Sequence, residues 1–253
     1  MKSNKYRRRF YRDWAGHKDL HSAHIVERET DLVILADKPL DQDFAKKRVR
    51  LYRRQIENYI SKDAKFLTSL KPLEVEINAA AIVKEMSRQA KKAGVGPMAT
   101  VAGAIASFLG KDLLAGGYKE VIIENGGDVF LVTKKTRNIA IYAGKSKLWK
   151  GLVLKIRPQD TPLGICTSSG TIGHSLSFGC ADSVVILAKN ASLADAAATA
   201  ICNRVQSKAD LEKALDFARS IKGVIGVVVI IKNNLIGWGK VSLSHFSIPP
   251  SIK

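Results

Sequence analysis

Residues 164–199, GICTSSGTIGHSLSFGCADSVVILAKNASLADAAAT, constrain the fold of this chain more than any other stretch. Leu163, Ile165 and the VVIL run at 184–187 read as buried strands, bounded by turns rich in glycine and serine. The small polar residues between them have the composition of a ligand-contacting loop held on a rigid scaffold. Ordinary loop filler has the same composition, and the rest of the chain has to separate the two.

The chain's 253 residues suffice for a full core in one domain. Its formal net charge of +18 favours anionic partners: nucleic acid, an anionic surface or a phosphate-bearing cofactor. Cys166, Cys180 and Cys202 have no CxxC spacing, which fits reduced thiols in a cytoplasmic protein. The N-terminal MKSNKYRRRFYRDW is basic without an apolar core segment, so it does not read as a secretory signal. Apolar runs such as residues 224–231 are far shorter than a bilayer span, so a soluble protein with no membrane partner is expected.

Residues 6–36 alternate as two strands, with HIVERETDLVILA as a half-buried hairpin. Asp41 or Asp43 caps a helix reaching about Ser61, and KFLTSLKPLEVE, containing Pro72, is a connection. Asn78 is expected to cap a helix that ends at Gly94, with Ile82, Met86 and Ala90 on one face. Pro97 opens a Gly- and Ala-rich buried helix whose free N-terminal N–H groups offer a seat for a phosphate. Strands at 119–123 and 129–133 flank Glu124-Asn125-Gly126-Gly127-Asp128, whose glycines suit a tight hairpin or a close backbone approach to a ligand. Further strands are expected at 139–142 and 152–156, a helix at 209–221, and a closing hairpin of VIGVVVII and LIGWG turning at Asn233-Asn234. The sum is an α+β or mixed α/β single domain over residues 1–253, with a basic hairpin-and-helix subregion at 1–72 and a motif-bearing core at 73–240.

Several groups could carry chemistry. Ser192 and Asp195 have capping-box spacing at the start of ADAAATAICNRV, so Asp195 reads first as a cap. With Thr199 one helical turn on, it also offers oxygen ligands to a hard cation such as Mg2+. The hydroxyls of Thr167, Ser168, Ser169 and Thr171, beside Gly170 and Gly173, can bind phosphate oxygens, although no Walker A lysine follows. His174 lies among glycines and serines as a ligand contact and is the candidate catalytic residue. A Cys166 nucleophile with His174 as base and Asp182 orienting it is the weaker alternative, because Cys166 ends an apolar run where thiols usually pack. The aromatic and basic N-terminal residues could grip nucleic acid, but no helix-turn-helix, RRM or zinc pattern follows.

Taken in order, VGPMATVAGAIA, ENGGDV, GICTSSG, GHSLSFG, SVVILA and ADAAAT resemble the ApbE-like superfamily, known for FAD:protein FMN transferases. Within it they resemble a short branch without assigned activity, over roughly residues 94–238. The resemblance implies an α+β fold of mixed and antiparallel sheets, hairpins and helices, with a pocket for FAD or another flavin nucleotide. It implies Mg2+ at Asp195 and Thr199, a flavin site at Asn125, Gly126, Gly127 and Asp128, and a cofactor contact from His174. The implied reaction passes FMN to a Thr or Ser of an acceptor flavoprotein and releases AMP. Two motifs depart from the transferases: GPMATVAG replaces a lysine-bearing GG-x-AKG segment, and Ser175-Leu176-Ser177 lacks the Asp-Pro after the histidine. A noncatalytic flavin- or nucleotide-binding module, or nucleic-acid binding through the basic N-terminal third, are therefore the alternatives. A homo-oligomer stays open.

Overall fold

The computed structural model describes residues 19–141, 148–149, 151–170 and 179–245. Strands β1 (His21–Glu27) and β2 (Thr30–Ala36) form the first hairpin, followed by α1 (Gln42–Lys62) and the short α2 (Lys65–Thr68). Helix α3 (Ala81–Ala93) leads through a 3-10 turn (Pro97–Thr100) into α4 (Val101–Ala115). Strands β3 (Val121–Asn125), β4 (Asp128–Val132), β5 (Arg137–Ala140), β6 (Leu152–Ile156), β7 (Leu163–Ser168) and β8 (Ser183–Ala188) come next. Helices α5 (Ala191–Cys202) and α6 (Leu211–Ser220) precede β9 (Val224–Ile231), β10 (Asn234–Gly239) and β11 (Leu243–His245).

Eight strands make one sheet in the order β1-β2-β3-β4-β7-β8-β9-β10, antiparallel at every pairing, and β11-β6-β5 make a smaller antiparallel sheet. The alternation of strand side chains assigns the two faces. Ile123, Phe130, Cys166, Val184, Ile186, Val227 and Val229 face the helices. Ile122, Val129, Leu131, Ile165, Val185, Leu187, Val228 and Ile230 pack with Ile141, Leu152, Leu154 and Ile156 of the small-sheet side. Both faces of the central strands are covered, which is why VVIL and VIGVVVII read as continuous apolar runs. The fold is α+β, as the sequence implies.

Helix α5 is the innermost helix: every residue in it except Thr199 is buried. It lies against β7 and β8 on one side and against α3 and α4 on the other. Its alanines permit this, because a small side chain lets backbones approach where a leucine would hold them apart. Two glycines complete the fit. A β-carbon on Gly103 of α4 would stand 2.3 Å from the Ala191 carbonyl oxygen, and one on Gly164 of β7 would stand 2.4 Å from the Ala191 Cα.

The 3-10 turn and α4 together, Pro97–Ala115, are long and apolar enough to cross a membrane by length and composition. The apolar run at 224–231 is therefore not the measure of the longest apolar stretch. Half of Pro97–Ala115 is buried inside the protein. Its side chains Ala106, Leu109 and Leu113 join Ile34, Val121 and Ile123 in one cluster, so in this fold it serves as a core helix.

Local departures have local causes. Asp41 caps α1 as expected, its carboxylate accepting from the Phe44 N–H at 2.9 Å. Asn78 does not cap α3: the helix begins at Ala81 after Ala80, with no side-chain cap. The last hairpin turns at Lys232-Asn233, one residue earlier than expected, because Asn234 already pairs with Ile231. Lys232 takes a positive φ of 54° there, and its N–H donates to Asp182 Oδ2 at 2.5 Å. Strand β11, pairing with β6, carries no period strong enough to be read from three residues.

Gly103→Ala tests the close approach at α5. The added methyl meets backbone, which cannot rotate away, so a loss of about 1–3 kcal/mol in denaturant unfolding is expected.

Candidate functional site

Asn125 and Asp128 pair across the β3–β4 hairpin, leaving Gly126 and Gly127 as a two-residue loop. Their φ values of 71° and 106° are the positive pair that such a tight hairpin demands. The Gly127 N–H donates to Glu124 Oε1 at 2.8 Å, and its carbonyl accepts from the Thr167 N–H at 3.1 Å. Asn125 is buried and donates through Nδ2 to the Ala102 carbonyl at 3.0 Å, tying the hairpin to the start of α4. The motif is thus a hairpin turn and also a joint between the sheet and a helix.

Asp128 sits directly opposite Cys166 in the β4–β7 pairing. Directly opposed residues on one face of an antiparallel pair bring their side chains together, and the Cys166 thiol donates to the Asp128 carboxylate. From above, α5 delivers Asp195. One ligand-capable atom from each of Asp128, Cys166 and Asp195 lies within 4.8 Å of the others, and all three residues are buried.

Asp195 is a cap, but not of its own helix. The N-cap of α5 is Asn190, whose side chain accepts from the Ser192 and Leu193 N–H groups at 2.8 and 3.2 Å. The capping-box reading of Ser192 and Asp195 is therefore corrected. Asp195 Oδ2 accepts instead from the Gly103 N–H of α4 at 3.1 Å, and the Ala102 N–H also bonds the carboxylate. The helix N-terminus that the sequence offers to a phosphate is met by a carboxylate of the chain itself.

Charge makes this cluster demanding. Burial raises the Asp195 carboxyl well above the usual carboxylate range, and the charge of Asp128 pushes the same way; the Gly103 and Ala102 N–H groups oppose both. Burial likewise pushes the Cys166 thiol up, reinforced by Asp128 and Asp195. A raised thiol is a poor nucleophile, which weighs against Cys166 attacking a substrate. Asp182, the third member of that alternative, accepts the Lys232 N–H in the last hairpin turn.

The donor set suits a divalent cation. Two carboxylates supply hard oxygens, and their mutual repulsion is relieved by positive charge. Ser192, one turn before Asp195, is fully buried, and its Oγ has no hydrogen-bond partner among the described residues. Thr199, one turn after, is half-buried and is the only residue of α5 that reaches toward the surface.

The other expected contacts divide. Thr167 and Ser168 end β7, beside the Gly126-Gly127 turn; Ser168 is buried and Thr167 half-buried. Ser169 and Gly170 follow, half-buried, with the Gly170 N–H donating to the Ala181 carbonyl at 2.9 Å. His174, Thr171 and Gly173 lie outside the described residues. Thr100, which with Ala102 the motif resemblance puts near the missing lysine, is buried and spends its hydroxyl on the Pro97 carbonyl at 2.6 Å. Cys166, which reads as a packing residue, stands inside the cluster; its pairing with Asp128 depends on strand register, which spacing alone does not give. A cleft of about 300 Å3 lined by Lys155, Arg157, Asp160 and Lys240 shares no residue with this cluster.

The eight-stranded antiparallel sheet packed against a buried alanine-rich helix is an α+β architecture shared with solved proteins. The flavin transferase ApbE from Vibrio cholerae superposes with a TM-score of 0.61 over 87% of this chain and 97% of that one, at 14% identity. The flavinyl transferase ApbE from Pseudomonas stutzeri gives 0.56 over 87% and 94%, at 13% identity, a likeness of fold. The chain belongs to the ApbE-like superfamily, in the family described as AbpE bacteria, whose model matches residues 12–242. Among its relatives are "UPF0280 protein MJ1526" of Methanocaldococcus jannaschii, 43% identical over 225 residues and covering 86% of this chain and 90% of the relative. A "UPF0280 protein" of Methanocella arvoryzae is 41% identical over 213 residues, covering 84% and 86%.

The sign of the Asp195 shift gives a pH dependence. With its folded value raised, the folded chain holds a proton that the unfolded chain releases above about pH 3.9. Stability in EDTA therefore falls as pH rises from there toward the folded value. Asp195→Asn keeps an acceptor for Gly103 and should flatten that fall, read by denaturant unfolding across pH.

Proposed function

We propose that this protein binds FAD, or a related phosphate-bearing flavin nucleotide, together with a divalent cation, and cleaves or transfers at the pyrophosphate. The observation that carries this reading is the buried cluster of Asp128, Cys166 and Asp195, set against the Gly126-Gly127 turn. Buried, mutually repelling acids are kept where a ligand or cation uses them. Asp195 and Thr199 hold the cation on one face of α5, in agreement with the motif resemblance. Asn125, Gly126, Gly127 and Asp128 line the flavin side, and Thr167, Ser168, Ser169 and Gly170 meet phosphate oxygens. His174 is the candidate for the remaining contact and for catalysis.

A bound Mg2+ would supply charge neutralisation across the pyrophosphate. The chain's residues do the rest. Gly126 and Gly127, lacking side chains, let backbone approach the nucleotide. Asp195, fixed by the Gly103 N–H, holds its free edge in one orientation without having to reorganise. The acceptor in the transfer form of the reaction is a flavoprotein hydroxyl, and AMP is the leaving group. The named transferases among the structural neighbours support this class of substrate, and the three CxxC-free thiols support a cytoplasmic setting.

A second reading, a noncatalytic nucleotide-binding module, is favoured by one observation: Thr100 is buried and self-satisfied near the place of a phosphate-contacting lysine. Incubating the full chain with FAD and a divalent cation, with MgCl2 and ZnCl2 run in parallel, separates the two. Flavin fluorescence quenching with release of AMP supports the enzyme; quenching without AMP supports the module; no quenching defeats both. Asp195→Ala is expected to weaken metal-dependent FAD binding by about 10-fold or more, whereas an effect on melting alone would leave Asp195 as a cap of α4.

A further inference from the structure

We infer that Asp128, Cys166 and Asp195 form a mixed oxygen–sulfur centre that prefers a thiophilic divalent cation, of the class of Zn2+, Fe2+ and Co2+, over Mg2+. The inference rests on the reading of this cluster as the cation-bearing edge of a nucleotide pocket. It concerns which cation that edge takes.

The chemistry of the donors sets the preference. Mg2+ demands six near-ideal oxygen positions and keeps several waters, so a site built for it alone has no use for sulfur. Thiolate selects the softer first-row cations, and a carboxylate–thiolate set accommodates them in tetrahedral or more open geometry. Cys166 is not placed as an inert packing thiol would be. Register sets it opposite Asp128, its proton points at that carboxylate, and Asp195 closes from α5. The three donor atoms all lie within 4.8 Å of one another, and metal–ligand bonds of about 2.0–2.3 Å would draw them closer together on binding.

A second observation comes from the same face of α5. Ser192 lies on the face of α5 that carries Asp195 and Thr199, at the contact with Gly103, and is fully buried with an Oγ that has no partner among the described residues. A buried hydroxyl without a partner is rare because it forfeits the hydrogen bonds water gave it. A cation, or a water bound to one, supplies the missing partner. When sulfur bonds the metal, the Cys166 proton is released to solvent.

The test uses cobalt as a spectroscopic probe on the full chain. Titration with Co2+ should produce a near-ultraviolet thiolate-to-cobalt charge-transfer band that saturates at one ion per chain. Zn2+ should abolish the band at stoichiometric amounts, while Mg2+ in hundredfold excess should not. Cys166→Ser should remove the band and weaken Zn2+ binding about 10-fold or more, and Cys180→Ser should leave both. A band that survives Cys166→Ser, or no band at all, overturns the inference.

Should Cys166→Ser fail to fold, the Cys180→Ser/Cys202→Ala protein retains Cys166 as its one thiol. Zinc-edge X-ray absorption then decides: a sulfur neighbour near about 2.3 Å supports the centre, and oxygen or nitrogen neighbours alone overturn it. FAD quenching is read separately. Quenching with no sulfur coordination defeats this inference alone; sulfur coordination without quenching defeats the flavin reading and leaves the metal centre standing.

Discussion

The position of the α5 N-terminus depends on two missing β-carbons. Gly103 from α4 and Gly164 from β7 press on Ala191 from opposite sides, at distances that no side chain allows. Between them the helix settles onto the sheet, with no room for a β-carbon on either neighbour. The same contact brings the Gly103 N–H to Asp195, so packing and charge are organised by one approach. If α4 stood off by the thickness of a methyl group, Asp195 would lose its helix-terminal donors and keep its burial penalty.

Around that contact the polar groups form a chain. Asn125 ties the hairpin turn to the Ala102 carbonyl, Gly127 ties the same turn to Thr167, and Asn190 caps α5 while its Nδ2 donates to Glu85 Oε1 of α3 at 2.5 Å. Gln89 donates to the same Glu85 oxygen at 2.9 Å. Except for the Gln89–Glu85 bond inside α3, each of these bonds joins two different elements. They hold the hairpin turn, the β7 end and three helices, α3, α4 and α5, in one arrangement around Asp128, Cys166 and Asp195, as a pre-organised site requires.

The resulting site sets several costs against one another. Burial disfavours the charge of Asp195, and the neighbouring Asp128 adds to that; two N–H groups at the positive end of α4 only partly compensate. A fold selected for stability alone would place apolar groups here. The cluster is therefore the place where this otherwise alanine- and valine-filled core departs from consistency, and such departures concentrate at functional sites.

Much of the fold was legible because periodicity and turn chemistry are local. The α1 cap at Asp41, the Gly126-Gly127 hairpin, the buried VVIL strand and the final hairpin follow from residues within a few positions of each other. The family was legible because several motifs recur in one order. Asn78 misled because a capping residue type needs a helix start beside it, and α3 begins later, at Ala81. Asp195 misled in the opposite way: its spacing fits a cap of its own helix, yet the free donors nearest in space belong to α4. Sequence by itself determined most of the elements, the α+β class and, through the motif resemblance, Asp195 as a residue of consequence. Only the tertiary structure decided that Cys166 stands between two carboxylates, because strand register and helix approach join residues 128, 166 and 195, and no local pattern spans that distance.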